Sequence, residues 1–128
     1  MISFDLFSTE DGSPIYIQIL RFVKRGIVSG SILHGDELPS RRVLSALLGI
    51  NPNTVQKAYR MLEDEGLIES HSGAKSFILL DSAATERVRS ELIKTDILSV
   101  VDALKQAGMS KEEALRLIEH NWDWSDKK

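Results

Sequence analysis

Asn53, Gln56, Lys57 and Arg60 are the residues of this sequence best suited to chemistry with a partner. On a helix, at about 100° per residue, they project opposite Val55, Ala58, Tyr59 and Leu62. Their face is polar, basic and free of acid. Arginine and lysine match guanine edges or phosphates, and asparagine and glutamine match adenine edges, so a helix with this face suits the major groove of DNA. Upstream, Ser40, Arg41 and Arg42 open another helix, where an N-terminus with two guanidinium groups makes a seat for phosphate. His71 and Lys75 flank a turn, and either reach a minor groove or are ordinary turn residues. Asn51 reads as a helix cap and Thr54 as a residue bonded to local backbone. Taken singly, Gln56 or Lys57 reads as solvated surface; Glu63, Asp64 and Glu65 read as solvating a helix end that faces away from DNA.

Catalysis has no comparable group of residues. The absence of Cys removes disulfides, thiolate chemistry and Cys-based zinc sites, and His34, His71 and His120 are scattered without a metal-binding pair. No nucleophile stands with a base. The expectation is a protein that is not an enzyme and needs neither metal nor cofactor.

The charge distribution supports an anionic partner although the total does not. Over 128 residues the net charge is −3. Between Gly12 and Leu62, however, Arg21, Lys24, Arg25, Arg41, Arg42, Lys57 and Arg60 face only Asp36 and Glu37, a local balance of +5. No acid occurs from Leu38 to Leu62. Hydrophobic residues at 42% and charged residues at 27% describe an ordinary globular chain, long enough for one domain or one domain plus a small appendage. No apolar run approaches the roughly 20 residues of a membrane span. The first residues lack the basic start and apolar stretch of a signal peptide. We therefore expect a cytoplasmic protein with no membrane partner.

The elements that must position these side chains follow from caps and periodicity. Ser13-Pro14 predicts a hydroxyl-capped helix over 14–29, with Tyr16, Ile19, Leu20, Val23 and Ile27 on its buried face. Glu37 and Leu38 suggest a brief strand. Ser40 caps a helix from Arg41 to Leu48, which Gly49 ends; Asn51-Pro52 starts a third, to about Glu65. The stretches 67–70 and 75–80 read as two strands around a Gly-containing turn. A long amphipathic helix spans about 83–107, and the S-x-x-E pattern of Ser110 and Glu113 opens a last one over 111–121. Two helices, a tight turn and a hairpin spell a winged helix-turn-helix. The predicted class is mainly α with a small β-hairpin wing: a DNA-binding domain over residues 1–80 and a helical dimerisation or effector region over 81–128. A chain ending at Leu80 is expected to remain folded and largely monomeric.

The runs Leu38-Pro39-Ser40-Arg41-Arg42, Leu48-Gly49-Ile50-Asn51-Pro52-Asn53-Thr54-Val55-Gln56-Lys57-Ala58-Tyr59 and Leu62-Glu63-Asp64-Glu65-Gly66-Leu67-Ile68, with Ser13-Pro14-Ile15-Tyr16 upstream, resemble the N-terminal signature of GntR-type bacterial transcription regulators. The resemblance covers residues 13–78 and implies DNA contacts by Arg42, Thr54, Gln56 and, at the wing tip, Gly73. Three residues depart from the pattern. His34 replaces a proline, Pro52 replaces a base-reading arginine of some members, and Lys75 replaces the second wing glycine. The short C-terminal part is similar to the YtrA subfamily, whose helical appendage dimerises. This implies a repressor, commonly of a transporter operon.

On the residues themselves, Leu92, Ile93, Ile97, Val100, Val101 and Leu104 carry more apolar surface than one short partner helix covers, so a homodimer on an inverted-repeat operator is expected. The rival reading is a winged helix used for protein contacts. A small-molecule effector is compatible with either. The tail is expected to be too small to enclose a pocket alone, with Trp122 and Trp124 either lining a shared site or anchoring the chain end.

Overall fold

The computed structural model describes residues 1–9, 12–71 and 75–127. The chain forms two compact units, Met1–Leu92 and Ile93–Lys128. In order the elements are α1 (Ile15–Ser29), β1 (Glu37–Leu38), α2 (Arg41–Leu48), α3 (Pro52–Asp64), β2 (Ile68–His71), β3 (Lys75–Ile78), α4 (Ser82–Gln106), α5 (Lys111–Asn121) and a 3-10 turn (Trp124–Lys127).

α1 buries Ile19, Leu20, Val23 and Ile27, the face its apolar spacing predicts. Its start differs from expectation. Pro14 occupies the N-cap position with no side-chain cap bond, and the N–H groups of Ile17 and Gln18 donate to the Pro14 carbonyl. Because the helix opens one residue late, Ser13 lies out of capping position. Its carbonyl instead accepts from Gln18 Nε2 at 2.8 Å and its hydroxyl from Arg21 Nη1 at 3.4 Å. Within α1, Gly26 permits a close approach: a Cβ there would collide with Ile32 Cδ1, while the Ile32 N–H donates to the Gly26 carbonyl at 3.0 Å.

The sheet is antiparallel in the order β1-β3-β2, with Ile68 opposite Ile78 and His71 opposite Lys75. Alternation along β3 buries Ser76 and Ile78 beneath it. The N-terminal residues, for which no element was expected, join this layer. The Ile2 N–H donates to the Glu37 carbonyl at 2.8 Å, and Phe4 stacks on Phe22 with centroids 4.9 Å apart.

The core of the first unit combines Ile2 and Phe4 with α1, α3, the sheet, and Val88 and Leu92 of α4. The wing ends near Leu80, but packing continues into α4 as far as Leu92. Leu92, expected on the dimer face, is instead only 9% exposed within its own chain's core.

In the second unit Ser110 caps α5, its Oγ accepting from the Glu113 N–H at 3.2 Å. The remainder of α4 and α5 border an apolar groove of about 450 Å³ that includes Ile97, Val101, Leu104, Met109 and Ala114. The groove is open to solvent, a cleft left between the apolar faces of two helices joined by a tight turn. Ile97 is 56% exposed and Leu115 54%. Trp122 and Trp124 are exposed as well. Among the described residues no helix is long and apolar enough to cross a membrane.

Candidate nucleic-acid interface

The geometry of the α2–α3 corner is set by short-range bonds. Gly49 adopts φ 65°, a conformation costly for residues with a Cβ. Ser45 then holds the turn from both sides: its carbonyl accepts from the Ile50 N–H at 3.1 Å, and its hydroxyl donates to the Ile50 carbonyl at 2.6 Å. Ser45 was not singled out from sequence, where a buried serine on a short helix gives no signal. Asn51 caps α3 as expected, its Oδ1 accepting from the Asn53 N–H at 2.8 Å, and Pro52 follows in the first turn.

α3 presents two distinct faces. Val55, Ala58, Tyr59 and Leu62 are fully buried, so only the opposite side is available to a partner. On that side Asn53, Lys57 and Arg60 are exposed, and Thr54 and Gln56 half-buried. Lys57 is less free than its exposure suggests: its ammonium lies 4.0 Å from the centroid of the Tyr16 ring. This cation–π contact ties α3 to the start of α1 and limits the directions in which Lys57 reaches.

The start of α2 divides the two arginines into different roles. Ser40 caps the helix, its Oγ accepting from the Val43 N–H at 3.2 Å. Arg42 is exposed. Arg41 is half-buried, with its guanidinium 5.1 Å from the Tyr59 ring centroid. Its Nε is buried, and among the described residues it has no hydrogen-bond partner. Arg41 therefore packs on Tyr59 in the middle of α3, and Arg42 is the better placed of the two to meet an anion.

The wing brings His71 and Lys75 opposite each other, both exposed. His71 is also engaged within the wing. Its ring stands edge-on to Phe77 at 5.1 Å, and its Nε2 is 3.4 Å from Glu69 Oε2. Gly73 lies outside the described residues.

Two sequence readings of charge change here. Lys24, counted toward the local positive balance, is paired with Glu65 at 2.8 Å and Glu91 at 3.7 Å, and is thus withdrawn from any anionic partner. Glu63 and Glu65, read as solvating groups, are tied down: Glu63 accepts from the Ser70 hydroxyl at 2.5 Å and Glu65 binds Lys24. Among the described residues no group of three or more His, Asp or Glu is placed to hold a metal.

Two helices across a tight turn, a third packed behind them and an antiparallel hairpin beside them define a winged helix-turn-helix. The chain belongs to the GntR family: "Bacterial regulatory proteins, gntR family" matches residues 15–78. It is 34% identical over 112 residues to the HTH-type transcriptional repressor YtrA of Bacillus subtilis, covering 88% of this chain and 82% of that one. It is 31% identical to the HTH-type transcriptional regulator YhcF of the same organism, over 85% of this chain and 90% of the relative. A GntR family transcriptional regulator from Listeria monocytogenes superposes with a TM-score of 0.74 at 28% identity, covering 88% of this chain and 98% of that one. YtrA from Sulfolobus acidocaldarius matches with a TM-score of 0.52 at 30% identity, over 98% and 99% of the two chains. The protein is thus a transcriptional regulator of the YtrA-like type with a winged DNA-binding domain, and its relatives are named as regulators rather than enzymes.

Proposed function

We propose that the protein is a repressor that binds an inverted-repeat operator as a homodimer, with α3 as its recognition helix. The observation that carries this reading is the division of α3 into a fully buried apolar face and an accessible face of Asn53, Gln56, Lys57 and Arg60. Gln56 and Asn53 read base edges, Arg60 and Lys57 meet phosphate or guanine, and Thr54 lies beside them. Ser40, with Arg42 and in part Arg41, seats a backbone phosphate at the start of α2. His71, Gly73 and Lys75 follow the adjoining minor groove and add affinity more than sequence preference. The repressor assignment rests on likeness to YtrA of Bacillus subtilis, named a repressor. The regulated genes are those of the class the resemblance suggests, a transporter operon, met on the chromosome in the cytoplasm.

Dimerisation is assigned to the second unit. Ile93, Ile97, Val100 and Val101 are exposed and Leu104 half-buried. Each is already about half covered within its own chain, so covering the rest is worth roughly half of the 1.5–3 kcal/mol of full burial, and several such side chains on one face favour a second copy packing isologously. Two recognition helices would then meet half-sites about 34 Å apart, one helical turn of DNA. Ile97, Val100, Val101 and Leu104 also line the apolar groove beside α5, so a small-molecule effector seated there would compete with the second copy and act by favouring one state of the dimer over another.

Fluorescence anisotropy on a labelled duplex from the protein's own upstream region tests the reading. Binding should weaken linearly in log K with log salt as phosphate counterions are released. Affinity indifferent both to salt and to DNA sequence would exclude a recognition role for α3.

A further inference from the structure

Residues 63–65 place three carboxylates at the C-terminal end of α3, where the helix dipole already carries negative partial charge. Left alone, this arrangement is unfavourable. Lys24 of α1 offsets it, bridging Glu65 at 2.8 Å and Glu91 of α4 at 3.7 Å with its side chain only 15% exposed. Arg87 of α4 donates through Nη2 to the Glu65 main-chain carbonyl at 3.2 Å. Two directional contacts therefore join the end of α3 to the first turns of α4. Val88 and Leu92 of the same turns are buried in the core of the first unit and form the apolar pivot beside these polar contacts. α4 then runs unbroken to Gln106, through the residues assigned above to the dimer.

We infer that Lys24, Glu65 and Arg87 are positioning residues for operator geometry: by clasping α4 to the root of α3 they fix the half-site separation the dimer accepts. The inference rests on the dimeric reading of the operator proposed above. Inserting one base pair between half-sites moves one about 3.4 Å along the duplex and turns it about 34° relative to the other. A dimer whose recognition helices are rigidly joined to α4 cannot follow that change. One whose clasp is broken swivels about the packed Val88 and Leu92 and can.

The test uses the full chain and three sets of duplexes: the protected inverted repeat, the same repeat with its spacer changed by one or two base pairs, and a single half-site. The wild type should prefer the native spacing by about tenfold or more over a one-base-pair change. Combining Lys24→Met, Glu65→Gln and Arg87→Met removes the charges together, so that no buried ion is left alone. This variant should keep half-site affinity within about twofold, while its spacing preference falls below about threefold. Lys24→Arg alone should retain the preference. An undiminished preference in the triple variant overturns the clasp and leaves the dimeric reading standing. Half-site affinity lost in step with spacing preference also overturns it, because the residues would then act on the fold of α3. A wild type indifferent to spacing overturns the dimeric reading itself.

Discussion

The Tyr59 hydroxyl donates to the Pro39 carbonyl at 2.6 Å, tying the middle of α3 to the residue that precedes the α2 cap. The same ring carries the Arg41 guanidinium on its face. One side chain on the buried face of α3 thus ties this helix to the residues that open α2.

Removing that hydroxyl should be costly. Tyr59→Phe leaves the Pro39 carbonyl without its buried donor, an expected loss of about 1–3 kcal/mol in urea unfolding. Burial pushes the Tyr59 phenol well above the usual tyrosine range, with Arg41 offsetting part of the effect. Because the folded value is raised, the associated stability is fully present below the unfolded tyrosine value of about 10 and is lost as pH rises above it. Urea midpoints between pH 8 and 11 should therefore fall more steeply for the wild type than for Tyr59→Phe. Parallel curves would mean that Tyr59 titrates freely.

On the recognition face the substitutions should separate by chemistry. Gln56→Ala should cost about 1–3 kcal/mol at one base position and relax preference there. Arg60→Ala should weaken all sequences alike and shallow the salt slope by about one if it meets phosphate. Competition binding against single-base operator variants distinguishes the two outcomes. Lys57→Ala carries an additional term, since it also removes the contact with Tyr16.

Gly26→Ala tests the packing of α1 against the following turn. Its methyl would collide with Ile32 Cδ1 and Cγ1, and the displacement should cost about 1–3 kcal/mol, read as a lowered urea midpoint. The double variant Gly26→Ala, Ile32→Val should recover part of the loss. No recovery would place the strain elsewhere.

The length of the DNA-binding module is also testable. A chain ending after Leu80 loses Val88 and Leu92 from the core, whereas one ending after Lys94 keeps both. Burial of each such side chain is worth about 1.5–3 kcal/mol, so only the longer fragment should unfold cooperatively. It should also sediment as a monomer at micromolar concentration, as should the full chain carrying Ile97→Asp. Dimers in either would move the interface out of the second unit.

Short-range features of this fold were legible in sequence. Ser40, Asn51-Pro52 and Ser110 cap the helices they mark, because a cap bond spans only two or three residues. Gly49 marks its turn for the same reason. Ser13-Pro14 misled, since proline there stands at the cap itself and the hydroxyl is left one residue too early. Contacts between distant residues left no local trace. Ile2 reaches Glu37, Lys24 reaches Glu65, and Arg41 folds back onto Tyr59, which neither periodicity nor charge counting reveals. Leu92 shows the same limit: apolar spacing places it on a helix face, but does not say whether its own chain or a second copy covers that face.

The accessible face of α3 is proposed to read DNA. The most direct test is footprinting on the protein's own upstream region, with the wild type beside a combined Gln56→Ala, Lys57→Ala, Arg60→Ala variant whose fold is verified by circular dichroism. Two symmetric protected half-sites are expected for the wild type, and loss of specific protection for the variant. Unchanged protection and full operator affinity in the variant would contradict that role for α3.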